Sequence, residues 1–90
     1  MKRLCEIFRS SRKAEMYLYV DRATGLAEVP EALLKQFGEP VSVMILLLEP
    51  GRKLARADAA EVLANIERQG FYLQMPPTDA QLLQRERADG

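Results

Sequence analysis

The stretch Val41–Leu48, which reads Val-Ser-Val-Met-Ile-Leu-Leu-Leu, is the longest apolar run of the chain and lies between Pro40 and Pro50. Its β-branched first half and the flanking prolines favour a strand over a helix. Apart from Ser42, both the odd and the even positions are apolar, so both faces of the strand would need cover. The pattern therefore predicts a central strand packed between two layers, with Ile45 in the core.

The composition is that of an ordinary globular domain, with 90 residues of which 48% are hydrophobic and 29% charged. Thirteen basic and thirteen acidic residues cancel, which gives no global argument for binding nucleic acid or an anionic membrane. No apolar stretch approaches the ~20 residues of a membrane span. We therefore expect a single-domain protein of the cytoplasm that does not contact a membrane.

Two alternating segments, Leu4–Arg9 and Met16–Val20, flank a polar turn and predict a hairpin. In the second segment Met16, Leu18 and Val20 form one face, and two tyrosines lie on the other. The charged residues beside Leu4–Arg9 suit a strand at the edge of a sheet.

Two helices and a short fourth strand complete the predicted order, which is strand–strand–helix–strand–helix–strand. Pro30 and Gly38 delimit the first helix, and Asp58 and Gly70 delimit the second. The fourth strand, Phe71–Gln74, ends at two prolines. Helices between the later strands suggest crossover connections, so we expect an α/β (α+β) fold around a mixed sheet of about four strands.

Residues 1–77 are expected to form the domain, and residues 78–90 a C-terminal tail that is partly helical or frayed. The apolar content of the tail is mainly Leu82 and Leu83. The strand directions stay open at this point. They decide whether the basic loops at residues 10–13 and 51–56 lie at one end of the sheet or at opposite ends.

Nothing in the sequence predicts catalysis. The chain has no histidine and one cysteine, so the commonest general base, a disulfide within the chain and a zinc site are all absent, and we expect no cofactor. Cys5 is interpreted as a small buried hydrophobic residue. The five glycines are isolated, and no phosphate-binding or dinucleotide-binding motif occurs.

Binding residues are instead suggested by charge, aromatic content and stiffness of the chain. Residues 1–13 carry five basic residues and one acidic residue, and a second basic cluster follows Gly51. The tyrosines could stack on bases, or they could lie under a helix. A Met-Pro-Pro segment after the last strand could form one wall of a groove. The candidate residues are Arg9, Arg12, Lys13, Tyr17, Tyr19, Arg52, Lys53, Tyr72, Gln74, Met75, Pro76 and Pro77.

Several of these stretches occur together in one known family. They are Arg9-Ser10, Tyr17–Val20, Val29–Leu33, Arg52–Ala55, Asp58 and Gln69–Pro77. Jointly they resemble the YcgL family of small bacterial proteins, chiefly from proteobacteria, over residues 3 to 77. The resemblance implies a compact α/β/α sandwich and no particular activity. Phe71 departs from relatives that have tyrosine there, which argues against a required hydroxyl group.

We interpret the chain as a non-catalytic binding or adaptor module whose partner is another protein. An RNA-associated accessory role is the alternative, and the neutral net charge argues against it. Binding of a small ligand, or an enzymatic role, comes third. The oligomeric state stays open.

Overall fold

A computed structural model describes residues 2–54 and 57–76 of the protein. Its helices and strands, in chain order, are β1 (Arg3–Arg9), β2 (Tyr17–Asp21), α1 (Glu31–Phe37), β3 (Val41–Leu48), α2 (Ala59–Gln69) and β4 (Phe71–Gln74). The predicted order of helices and strands is confirmed, as is the α+β class. Pro77 and the predicted tail, residues 78–90, lie outside the described residues.

The four strands form one sheet in the order β3-β1-β2-β4, and every neighbouring pair is antiparallel. The predicted hairpin is present as β1 and β2, with Ile7 opposite Tyr19. The expectation of a mixed sheet was wrong. The crossover through α1 does make β3 run in the same direction as β2, but β1 lies between them, so the two parallel strands are not neighbours.

The predicted central position of β3 was also wrong, because β3 pairs with β1 alone and forms an edge of the sheet. Only Leu46 and Leu48 of its eight residues are buried, and Ile45 is 44% exposed. The inner position belongs to β1, which was expected at an edge. Two charged side chains of β1 have partners on the neighbouring strands. Arg3 pairs with Asp21 at 2.8 Å, and Glu6 accepts a hydrogen bond from Ser42.

Two apolar clusters lie on the two faces of the sheet, and each is covered by one helix. On the α2 face, Val62, Leu63 and Ile66 of the helix pack against Cys5 and Leu48 among other strand residues. The cluster on the α1 face joins the buried residues Met16, Leu18, Val20, Val29 and Phe37. The three layers are therefore helix, sheet and helix, as the sequence and the family resemblance implied.

The helix ends follow the predicted signals. Pro30 directly precedes α1, and the N–H of Gly38 bonds to the carbonyl of Leu34 at 2.9 Å. Asp58 caps α2 by accepting from the N–H of Ala60 at 3.2 Å. Gly70 ends α2 in the left-handed conformation at φ 93°, where a side chain would also meet Glu28.

Candidate functional site

The strand directions place the two basic loops at opposite ends of the sheet. β1 ends and β2 begins at the hairpin loop, and β3 begins and β4 ends at that same end. Arg52 and Lys53 follow β3 at the other end, separated by the eight residues of β3, which span about 26 Å. The structure therefore separates these two cations from the remaining candidate residues.

The candidates of the first loop and of the β4 exit come together at one end, which we call the hairpin end (residues 9–17 and 74–76). Arg9 lies opposite Tyr17 in the β1–β2 pair, and Tyr17 lies opposite Gln74 in the β2–β4 pair. Arg9, Arg12 and Lys13 are exposed, and none of them forms an ion pair within residues 2–54 and 57–76. Two segments almost sixty residues apart thus share one surface.

Ser10 organises the backbone of the hairpin loop. Its hydroxyl oxygen accepts hydrogen bonds from the N–H groups of Arg12, at 3.0 Å, and Lys13, at 2.9 Å. The same hydroxyl donates to the carbonyl of Phe37 at the end of α1. Ser10 is 7% exposed, and its bond to the Phe37 carbonyl is buried. The three bonds fix the loop that carries the exposed cations.

The end of α1 approaches this loop closely at Gly38. Its φ is +81°, and a Cβ atom at this position would come within 2.6 Å of side-chain atoms of Ser11 and Arg12. A larger residue there would be strained at this φ and would force the side chains of Ser11 and Arg12 to move. Sequence reasoning missed the roles of Ser10 and Gly38 in this loop, although the Ser-Ser turn itself was a visible signal for a hydroxyl-capped loop.

A groove of about 310 Å³ opens beside the hairpin loop on the α2 face of the sheet. Its lining residues are mainly apolar or aromatic, and they are Ile7, Glu15, Tyr17, Tyr19, Val43, Met44 and Gln74. The Tyr19 hydroxyl donates to Oε1 of the buried Gln74 at 3.1 Å, which fixes one wall. Next to Gln74, the side chain of Met75 is 53% exposed. Pro76 follows it, half-buried, as the last described residue.

The three tyrosines do not form an exposed stacking surface. Tyr19 is 7% exposed, and Tyr17 and Tyr72 are half-buried against the cluster that α2 covers. The rings of Tyr19 and Tyr72 meet edge to face, with centroids 5.7 Å apart. Burial raises the pKa of the Tyr72 hydroxyl, and Glu61 and Asp58 of α2 raise it further. The alternative that these rings lie under a helix is the one observed.

Cys5 lies in the core, as predicted, and is fully buried. Burial and the nearby carboxylate of Asp21 raise the pKa of its thiol to about 11, so the thiol stays protonated at neutral pH. A protonated, enclosed thiol is a poor nucleophile. In the part of the chain that the structure describes, no cluster of three or more acidic or cysteine side chains is arranged to hold a metal ion.

At the opposite end of the sheet, where β1 begins and β3 ends, some of the charged residues form ion pairs. Arg3 pairs with Asp21, and this hydrogen bond lowers the pKa of the Asp21 carboxyl group. Lys2 lies 3.6 Å from Glu49. The guanidinium group of Arg52 contacts the carbonyl of Leu47 at 3.4 Å.

Neither helix in the described part of the chain has the length and apolar content needed to cross a bilayer.

The YcgL domain profile matches residues 5–77 of this chain. The chain belongs to the YcgL domain family. A YcgL domain-containing protein of Chromohalobacter salexigens is 67% identical over 76 residues, which cover 84% of this chain and 79% of that protein. One from Pseudomonas aeruginosa is 57% identical over 84 residues, covering 93% and 87% of the two chains. One from Pseudomonas putida is 55% identical with the same coverage.

The resemblance inferred from the sequence motifs is thus confirmed, and the relatives are bacterial. The part of this YcgL domain that matches the family profile includes the hairpin end, the groove and all of β3. The features described above therefore lie within the family domain itself.

Proposed function

We propose that this YcgL domain is a non-catalytic binding module of the bacterial cytoplasm that holds a partner protein at its hairpin end. One observation carries the proposal. Two distant segments meet there, so that three exposed cations without ion pairs in the described chain lie at the same end of the sheet as a mainly apolar groove. Charged and aromatic residues around an apolar centre are the usual anatomy of a protein interface.

The chemistry of the surface indicates the chemistry of the partner. Arg12 and Lys13 are presented on a loop whose backbone Ser10 already fixes, so little ordering is needed on binding. Cations held in this way favour a carboxylate-bearing segment. At the same end of the sheet, Tyr17 and Met44 line a groove that an apolar side chain can enter. The partner segment would therefore combine an acidic residue with an apolar one.

The alternatives receive less support from the same residues. An RNA-associated role would draw on stacking by exposed aromatic rings, and the tyrosines are buried or half-buried. An enzymatic role would draw on a reactive group in the groove, whereas the one thiol of the chain lies in the core and stays protonated. We therefore favour a protein partner.

A pair of charge reversals tests the proposal. The variant with Arg12→Glu and Lys13→Glu should keep its fold, because both side chains are exposed and surface changes usually alter stability by less than ~0.5 kcal/mol each. It should lose partner proteins that the wild type recovers from a lysate of the source bacterium. Binding of the main recovered protein is then measured in purified form, and reversed charges should abolish it.

The matched control reverses the adjacent cations at the other end of the sheet, with Arg52→Glu and Lys53→Glu. This variant should bind like the wild type. Unchanged binding by the Arg12 and Lys13 variant, or a loss that occurs only in the Arg52 and Lys53 variant, would contradict the proposed site.

A further inference from the structure

The groove of about 310 Å³ beside the hairpin loop has a lining of two kinds. Its apolar part includes Val43 and Met44, whose side chains are 45% and 52% exposed. Tyr17, which is half-buried, lines the same groove. Among the described lining residues one is acidic, Glu15, and none is basic. A matching occupant therefore brings apolar side chains and a cation.

Glu15 has an unusual backbone conformation. Its φ is 61°, and among the non-glycine residues that the structure describes it is the only one with a positive φ. Residues with a side chain adopt this left-handed region rarely, and such strained residues cluster at binding and catalytic sites. The hairpin loop accepts this strain at the residue that gives the groove its acidic group. This points to a role for Glu15 in recognition.

The groups that match this lining occur in the sequence of the C-terminal tail, residues 78–90. The tail contains the apolar pair Leu82 and Leu83, followed by the cations Arg85 and Arg87. Positions 82–87 thus supply both kinds of group that the groove requires.

The starting point of the tail puts these residues within reach of the groove. Gln74 lies in the groove wall, eight positions before Leu82, and eight residues of extended chain span up to about 26 Å. The groove crosses four neighbouring strands, a width of about 15 Å. A segment tethered this closely has an effective concentration in the millimolar range, so any untethered occupant must compete with it.

We propose that the C-terminal tail of this chain docks in the groove, with Leu82 and Leu83 against the apolar lining. A cation of the tail, Arg85 or Arg87, pairs with Glu15. A partner segment that enters the groove must then displace the tail. This last consequence rests on the proposed function, whereas the docking itself does not.

Nuclear magnetic resonance of the full chain tests the docking. Replacing both leucines, with Leu82→Ser and Leu83→Ser, should shift the signal of the Met44 methyl group, because the apolar side chains beside it are removed. The control, with Gln81→Ser and Gln84→Ser, changes the two flanking residues and should leave that signal in place. A Met44 signal that stays in place in the leucine variant overturns the proposal, as do equal shifts in both variants.

Charge reversal tests the contact with Glu15. Glu15→Arg should speed amide exchange at Leu83 several-fold, because a tail released from the groove loses protection. Adding Arg85→Glu and Arg87→Glu to this variant should restore the slow exchange. The control Glu39→Arg reverses an exposed acidic residue just before β3 and should leave the exchange unchanged. The proposed contact is overturned if Glu15→Arg has no effect, or if the added reversals fail to restore slow exchange.

Both measurements use the isolated full chain without a partner, and circular dichroism verifies the fold of each variant. A tail that does not dock leaves the proposed partner site intact. Unchanged partner binding by the Arg12 and Lys13 variant, in turn, leaves the docking intact. The two proposals therefore fail separately.

Discussion

Replacing Phe37 with alanine should lower the free energy of unfolding by about 3–5 kcal/mol. Phe37 is the largest fully buried side chain of the described residues and packs with Leu18 and Val20 between α1 and the sheet. Its removal leaves a cavity that the short α1 cannot readily close by moving, because the Ser10 hydroxyl bonds to the Phe37 carbonyl at the helix end. Urea unfolding of the variant measures the loss.

The exposed neighbour Gln36 is the control for this prediction. Gln36→Ala should change the unfolding free energy by no more than ~0.5 kcal/mol, because it keeps the helix and removes no buried contact. If Phe37→Ala cost less than ~1 kcal/mol, α1 would not be anchored to the sheet as described.

The second large effect is expected at the end of β3, where two adjacent leucines have opposite environments. Leu48 is 0% exposed and packs under α2, whereas Leu47 is 44% exposed. Leu48→Ala should therefore cost about 2–5 kcal/mol and Leu47→Ala about 1 kcal/mol or less. The comparison is informative because both changes remove the same atoms from the same strand.

Urea unfolding of both variants under identical conditions measures the two losses. The original expectation from the sequence placed Ile45 in the core, with a similarly large cost for its truncation. Equal losses for Leu47→Ala and Leu48→Ala would restore that buried, central strand and contradict the edge position of β3.

Local structure was predictable because its signals lie close together in the chain. The turn after Arg9, the cap at Asp58 and the left-handed glycine at position 70 each depend on a few neighbouring residues. These signals gave the order of helices and strands, and they also placed the apolar stripe of α2 correctly.

Strand order was not predictable in the same way, because it depends on pairings between distant residues. A strand that is apolar on both faces is typical of a buried central strand. In this structure the same pattern belongs to an edge strand, of which only Leu46 and Leu48 are buried. An apolar pattern on both faces cannot distinguish a central strand from an edge strand, because it does not show which strands lie beside it.

The candidate site could also be predicted only in part. The cations and the β4 exit were selected from composition, and the sequence could not show that they meet at one end. The anchor of the loop was missed, because the acceptor of the Ser10 hydroxyl, the carbonyl of Phe37, lies 27 residues away.

Amide hydrogen exchange along β3 tests the central claim, that β3 is the open edge of this sheet. Leu4, which lies opposite Leu47, directs its carbonyl to Arg22 on the β2 side, so the Leu47 and Ile45 amides point away from β1 and should exchange rapidly. The amides of Leu46 and Leu48 point towards β1 and should exchange slowly. Slow exchange at all four positions in dilute protein would mean that β3 is paired on both sides, and it would contradict the edge position.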